Sequence, residues 1–263
     1  MRSRLHENLL DLMAFGPRFL GRHVPRITGA DTASVSLESF GRLHMRAGES
    51  DVAAVRQVFR DKGYDIGFNW PTGRAILNRY NEILGSGKIP VIVDAGANIG
   101  AATVFFSSQF PNAHVVAVEP EPGNFAVLLK NVEKNKNITA LRAAIGSTEG
   151  FVSVKNDGLG WAARTERAAS GVPVVTMRGA FGSVPNGIPF IAKIDIEGFE
   201  ADLFANNVEW LDDTYVVYIE PHDWMLPGQR TSRTFQREMA KRDFEILIRG
   251  ENLTYVKCAL SVT

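Results

Sequence analysis

Short runs of β-branched residues recur through the later two-thirds of the chain, each closing on an acid or a glycine. Between them, apolar positions fall three and four apart. This switching between period 2 and period 3.6 predicts alternating strands and helices around a mostly parallel sheet. The core strands are expected at Ile89–Asp94, Val115–Glu119, Ile138–Ile145, Pro189–Asp195 and Tyr215–Glu220. Helices are expected from Ala101, from Pro122 (with Phe125, Leu128, Leu129 and Val132 as the buried face) and over Thr231–Arg242. Gly150–Val154 and Val172–Met177 read as extra strands around a loop holding Gly158, Gly160 and Trp161. Phe244–Ile248 and Leu253–Val256, joined through Gly250-Glu251-Asn252, read as an antiparallel hairpin on an otherwise parallel sheet. The pattern describes a doubly wound, Rossmann-like α/β domain over residues 75–263.

Residues 1–74 form an extension expected to pack on that core. Within it, residues 1–35 read as one or two helices, Ser34–Ala47 as a strand pair and Asp51–Lys62 as a helix; Gly73–Leu84 is a helix leading into the first core strand. Leu5, Leu9, Leu12 and Met13 recur at helical spacing, with Arg18, Arg22 and Arg26 following. Packing on the core or on a second copy, as in a homodimer through the extension, is preferred over a basic helix lying on a membrane surface. His6, Glu7, Asn8 and Asp11 interrupt any apolar segment of an export signal.

Composition narrows the classes. The chain has 263 residues, 45% of them hydrophobic, enough for one sizeable core. Lysine plus arginine and aspartate plus glutamate both number 29, so global charge gives no argument for a nucleic-acid partner. With Cys258 alone, no intrachain disulfide can form, and a cytoplasmic location is the expectation. No apolar run is long enough to form a transmembrane segment.

The stretch Val91–Gly100, V-I-V-D-A-G-A-N-I-G, is a strand breaking into a glycine turn at the start of a helix, which is the layout of a cofactor site. A dinucleotide fingerprint wants glycine at 96, 98 and 101, but Asn98 and Ala101 stand at two of these positions. Asp94 adds a negative charge that repels pyrophosphate and attracts a cation. An NAD-dependent oxidoreductase is therefore disfavoured, and no phosphate loop of the G-x-x-x-x-G-K type is present. S-adenosylmethionine suits the turn better: it lacks phosphate, and its sulfonium and α-amine match an acidic strand end. Glu119, closing the next strand, is placed to hold a ribose.

The ordered set V-D-A-G-A-N-I-G, V-E-P-E-P, A-A-I-G, A-K-I-D-I-E-G-F-E and Y-I-E-P-H resembles the FkbM-type family of S-adenosylmethionine-dependent methyltransferases. The similarity runs from about Ser50 to Val256, with an upstream R-A-G-E-S-D segment at Arg46–Asp51 and Tyr64-Asp65. The resemblance implies a class I methyltransferase sheet and O-methylation of a sugar, glycolipid, polysaccharide or natural-product acceptor. It implies that Asp94, Gly96, Asn98 and Gly100 contact the methionine portion of the cofactor, that Glu119 and Pro120 lie at the ribose and Ala144 near the adenine, and that Asp195 sits at the switch point.

For the chemistry, candidates close strands four and five: Asp195, Glu197, Glu220 and His222. His222 is the first choice of general base, since its ordinary pKa lies nearest working pH. Asp195, Glu220 and His222 together offer ligands for a divalent metal, kept as the lesser alternative. Glu197 and Glu200 read better as acids favoured by the dipole at the start of a helix after Gly198. Trp161 with Arg164, and Trp224 with Met225, are candidates for an acceptor wall. A cofactor-binding protein without catalysis is the other class to be distinguished.

Overall fold

The computed structural model describes residues 4–24, 28–38, 40–46, 50–156 and 163–258. A two-stranded ribbon comes first, β1 (Thr32–Leu37) pairing antiparallel with β2 (Gly41–Arg46). Three strands of the central sheet follow: β3 (Ile89–Ala95), β4 (His114–Val118) and β5 (Ile138–Leu141). Next come four strands of a separate small sheet: β6 (Ala144–Gly146), β7 (Gly150–Asn156), β8 (Ala163–Ala168) and β9 (Val172–Thr176). The central sheet resumes with β10 (Gly187–Ile194), β11 (Val216–Ile219), β12 (Phe244–Arg249) and β13 (Asn252–Lys257).

The seven central strands lie in the order β12-β13-β11-β10-β3-β4-β5. Strands β5, β4, β3, β10 and β11 pair in parallel, and β13 inserts antiparallel between β11 and β12. The fold is the doubly wound α/β class expected. The closing hairpin is present, with β13 as the one strand of this sheet running against the rest. Chain order reverses between β3 and β10, which opens a crevice at their carboxyl ends, where doubly wound sheets bind ligands.

Strands β3 and β4 are buried on both faces, which explains their unbroken runs of Val, Ile and Ala in place of alternation. One face carries an aromatic core in which Phe110 packs 5.1 Å from both Tyr80 and Phe190. The opposite face buries Phe204, Trp210, Phe235 and Met239. Residues before 75 share the first of these cores: Phe19, Val35, Leu43, Val55 and Tyr64 pack in one cluster with Ile76, Phe106 and Tyr218.

Several expected elements are redrawn. Ile138–Ile145 is not one strand; it divides into β5 and β6, which belong to different sheets, because the chain turns at Arg142-Ala143 to leave the central sheet. On helix Pro122–Val132 the buried positions are Val127, Leu128 and Val132, while Leu129 is exposed. The expected helix Asp51–Lys62 is helical over Asp51–Val55 and widens to a π-turn over Arg56–Arg60. Strand β8 was not legible; the loop with Gly158, Gly160 and Trp161 lies outside the described residues, as does the side chain of Arg164.

The N-terminal helix, Arg4–Phe15, docks by a route opposite to the one its leucines suggest. Leu9, Leu12 and Met13 face solvent. The side chain of Leu5 lies outside those described; among the described side chains of the helix the buried one is Asp11, whose carboxylate meets Arg22 at 3.0 Å, Arg56 at 2.6 Å and Arg60 at 2.9 Å. Three guanidiniums around one acid provide the anchorage expected of an apolar stripe. Among the described residues, no helix is long and apolar enough to cross a membrane.

Candidate functional site

The turn after β3 depends on three residues in the left-handed region: Gly96 (φ 77°), Asn98 (φ 50°) and Gly100 (φ 85°). Gly96 is required twice over, because a Cβ there would lie 1.7 Å from the carbonyl oxygen of Asp195. The amides of Gly96 and Ala97 donate to Val118 O, and that of Asn98 donates to Glu119 Oε2 at 2.8 Å. These N–H groups are spent on the fold, so the open helix start is at Ala101 and Ala102, which line a cavity. The Oδ1 of Asn98 is buried with no hydrogen-bond partner among the described residues.

Asp94 stands behind this turn, fully buried, and lines neither of the cavities described below. Thr103 Oγ1 donates to its Oδ2 at 2.5 Å, and Lys193 Nζ lies 3.2 Å from its Oδ1. The cation that Asp94 was expected to seek in a ligand is therefore supplied by the chain. Lys193 also stands 3.4 Å from Asp195 Oδ2 and donates to Gly96 O at 2.7 Å. Burial works against its charge, yet the two carboxylates outweigh burial and hold its pKa well above the ordinary lysine value.

Glu119 is buried as well, and Burial pushes its carboxyl up to about 7 against three donated hydrogen bonds. Two of those come from Glu121 N at 2.9 Å and Asn124 Nδ2 at 3.2 Å. Asn124 in turn accepts from Arg46 at 2.6 Å, and Arg46 pairs with buried Asp51 at 2.7 Å. The upstream motif thus ends in a relay that positions Glu119.

At the end of β11, His222 is 2% exposed inside a ring of carboxylates. Its Nδ1 donates to Glu200 Oε1 at 2.7 Å. Its Nε2 faces Asp195 Oδ1 at 3.5 Å, Glu197 Oε2 at 3.6 Å and Glu220 Oε1 at 3.9 Å. Burial alone would lower the pKa of the ring; the hydrogen bond to Glu200 and the charges of Glu200, Asp195 and Glu197 reverse this and raise it to about 9. The cage therefore favours the protonated ring, which counts against His222 as the base. Burial, then repulsion by Asp195, raises Glu197 to about 8 and Glu220 to about 7.

Two cavities meet at this point. The larger, about 630 Å³, is lined by Gln57, Tyr64, Lys193, Glu220, His222 and Trp224 among others. The smaller is a cleft of about 50 Å³ lined by Glu119, Pro120, Asn124, Ala144, Ile145, Thr165 and Phe199. Both include Gly96, Asn98, Asp195 and Glu197. The structure therefore brings Gly96, Asn98, Glu119, Pro120, Ala144 and Asp195 to one cleft and His222, Glu220 and Asp195 to the adjoining cavity. Gly100 lines neither, and its place is to start helix Ala101–Gln109 with Leu128 packed against it.

Residues 94–246 match the family model of the methyltransferase FkbM domain. The chain belongs to the FkbM methyltransferase family. The matched FkbM segment begins at Asp94 and takes in every acid of the His222 cage. The methyltransferase sdnD of Sordaria araneosa is 32% identical over 98 residues, 36% of this chain and 31% of that protein. The hexuronic acid methyltransferase AglP of Haloferax volcanii is 27% identical over 155 residues, 54% of this chain and 59% of that protein. The chain thus spans about a third to three-fifths of the length of these two relatives. A crystal structure of a methyltransferase FkbM from Methylobacillus flagellatus superposes with a TM-score of 0.44 at 16% identity, covering 78% of this chain and 58% of that one.

Three residues of the site have partners that sequence reasoning passed over. Lys193 left a signal, a lone lysine inside the apolar strand A-K-I-D. Glu200 read as an ordinary acid at a helix start, yet it is buried against His222. Gln57, from the extension, donates to Glu220 Oε2 at 2.9 Å, and no local pattern announces a partner 163 positions away.

Proposed function

We propose that this FkbM-family chain is an S-adenosylmethionine-dependent methyltransferase that methylates a hydroxyl of a sugar or a similar polar acceptor. The observation that carries the reading is the meeting of the two cavities at Gly96, Asn98, Asp195 and Glu197. Methyl transfer needs a donor and an acceptor in line, with water excluded between them. S-adenosylmethionine supplies an activated methyl on a sulfonium.

Glu119 receives the ribose hydroxyls, and Ala144 and Ile145 border the adenine. The unpartnered Asn98 Oδ1 accepts from the α-ammonium. Thr165 of β8 forms part of the wall of this cleft. On the acceptor side, Asp195 and Glu197 border both cavities, so they orient the hydroxyl; the proton goes to the ionised form of Glu197, which its raised pKa of about 8 makes the minor form at neutral pH and the major one above it. Trp224 at the large cavity offers a stacking face for a sugar ring, and Arg249 a partner for a carboxylate on it. The relative named for hexuronic acid supports the sugar class.

Incubation with methyl-labelled S-adenosylmethionine and fractionated lysate tests the reading, alongside calorimetry with S-adenosylmethionine and with NAD. Expected are micromolar binding of the first, none of the second, and label in a glycan or small-molecule fraction that is lost in Glu197→Gln. Binding of NAD alone overturns the donor assignment. Binding of S-adenosylmethionine without any transferred label identifies a non-catalytic protein instead.

A further inference from the structure

We propose that Asp195, Glu220 and His222 form a binding site for one divalent cation of the Mn²⁺, Co²⁺, Zn²⁺ class; its use in the reaction rests on the methyl-transfer reading above. One ligand atom from each lies within 4.8 Å of the others. Bonds of 2.0–2.2 Å put adjacent ligands of one ion roughly 3 Å apart and opposite ligands roughly 4.3 Å apart. The distances from His222 Nε2 to Asp195 Oδ1 and Glu220 Oε1, 3.5 and 3.9 Å, fall in that span.

A cluster of acids alone makes no site; what distinguishes this one is how each ligand is held by its far atom. Glu200 takes His222 Nδ1, Gln57 takes Glu220 Oε2, and Lys193 lies against Asp195 Oδ2. The near atoms, Nε2, Oε1 and Oδ1, are left converging. Nε2 belongs to a side chain that is 98% buried and makes no hydrogen bond among the described residues. An imidazole fixed through one nitrogen by a carboxylate, with the other turned to the ligand set, is the arrangement that orients metal-binding histidines; an ion binding here displaces the proton that the carboxylates otherwise favour on Nε2. Among the described residues, Asp94, Asp195, Glu197, Glu200 and Glu220 have Lys193 and His222 as their ion-pair partners. Two carboxylates and one imidazole suit the borderline divalent ions better than soft or purely oxygen-seeking ones.

All three ligands line the large cavity, so open coordination positions face the acceptor. There the ion, when bound, would acidify the acceptor hydroxyl. Glu197, outside the triad but 3.6 Å from Nε2, stays available in its ionised form for the released proton.

The test is Mn²⁺ titration of the chelator-stripped full chain, followed by electron paramagnetic resonance and calorimetry without cofactor or acceptor. One site per chain is expected, weakened at least tenfold by the near-isosteric Glu220→Gln and abolished by His222→Ala, with folding checked by circular dichroism. Absence of stoichiometric Mn²⁺ and Zn²⁺ binding, or binding unchanged in Glu220→Gln and His222→Ala, overturns the proposal. S-adenosylmethionine binding measured in excess chelator reports on the donor reading independently, so the two fail separately.

Discussion

A Cβ on Gly96 would sit 1.7 Å from the carbonyl oxygen of Asp195, which binds the glycine turn after β3 to the end of β10 as closely as two backbones can approach. The contact crosses the switch point, so the turn and the acid, which both border the two cavities, cannot move independently.

Gly96→Ala must therefore push the two strand ends apart and force a non-glycine residue to φ 77°. Overpacking and backbone strain together cost about 3 kcal/mol or more. Urea unfolding is expected to show that loss, and calorimetry a loss of S-adenosylmethionine binding of at least a hundredfold; an unchanged unfolding midpoint would contradict the contact.

Lys193→Met keeps the bulk of the side chain and removes the buried charge, leaving Asp94 uncompensated. Breaking such a pair costs about 3–5 kcal/mol. Adding Asp94→Asn should recover much of it, since both charges are then gone. A double-mutant cycle by urea denaturation checks this, and additive losses would show that the pair is not coupled.

Glu119 links stability to pH. Its folded pKa, about 7, lies above the ordinary value of 4.5, so the buried group favours the protonated form. The associated stability is fully present below about pH 4.5 and is lost as pH rises through 7, by about 3 kcal/mol at the linkage limit. The ligand-free wild type should thus lose more stability than Glu119→Ala between pH 5 and pH 8. Thermal unfolding at the two pH values decides, and parallel curves would refute the link.

Asp11 joins the N-terminal helix to Arg22, Arg56 and Arg60. Asp11→Asn leaves three guanidiniums short of their shared partner, at a cost of about 3 kcal/mol. Hydrogen exchange over residues 4–23 should quicken while that of β3 and β10 stays slow. Exchange unaltered in the helix would show that its anchorage lies elsewhere.

Much of the framework was legible. The apolar runs of β3, β4, β10 and β11 were readable because strands buried on both faces need continuous hydrophobic residues. Gly96, Glu119, Asp195 and His222 were readable because a turn and the acids closing strands are local features. The division of Ile138–Ile145 was not, since an apolar run carries no mark of which sheet it joins. Nor was the docking of the first helix, where the spacing of Leu9, Leu12 and Met13 pointed to burial and the arginines around Asp11 decided otherwise.

The sequence by itself determined the doubly wound alternation, the glycine turn and the acids that follow it, because periodicity and φ/ψ sterics act over a few residues. Only the tertiary structure decided which charges are partners. Asp94 and Lys193 meet because β10 lies beside β3, and the His222 ring is fixed because Glu200 and the residues around Glu220 come from separate elements. Burial then sets the strength and protonation of those pairs, and burial is a property of the assembled fold, not of any segment.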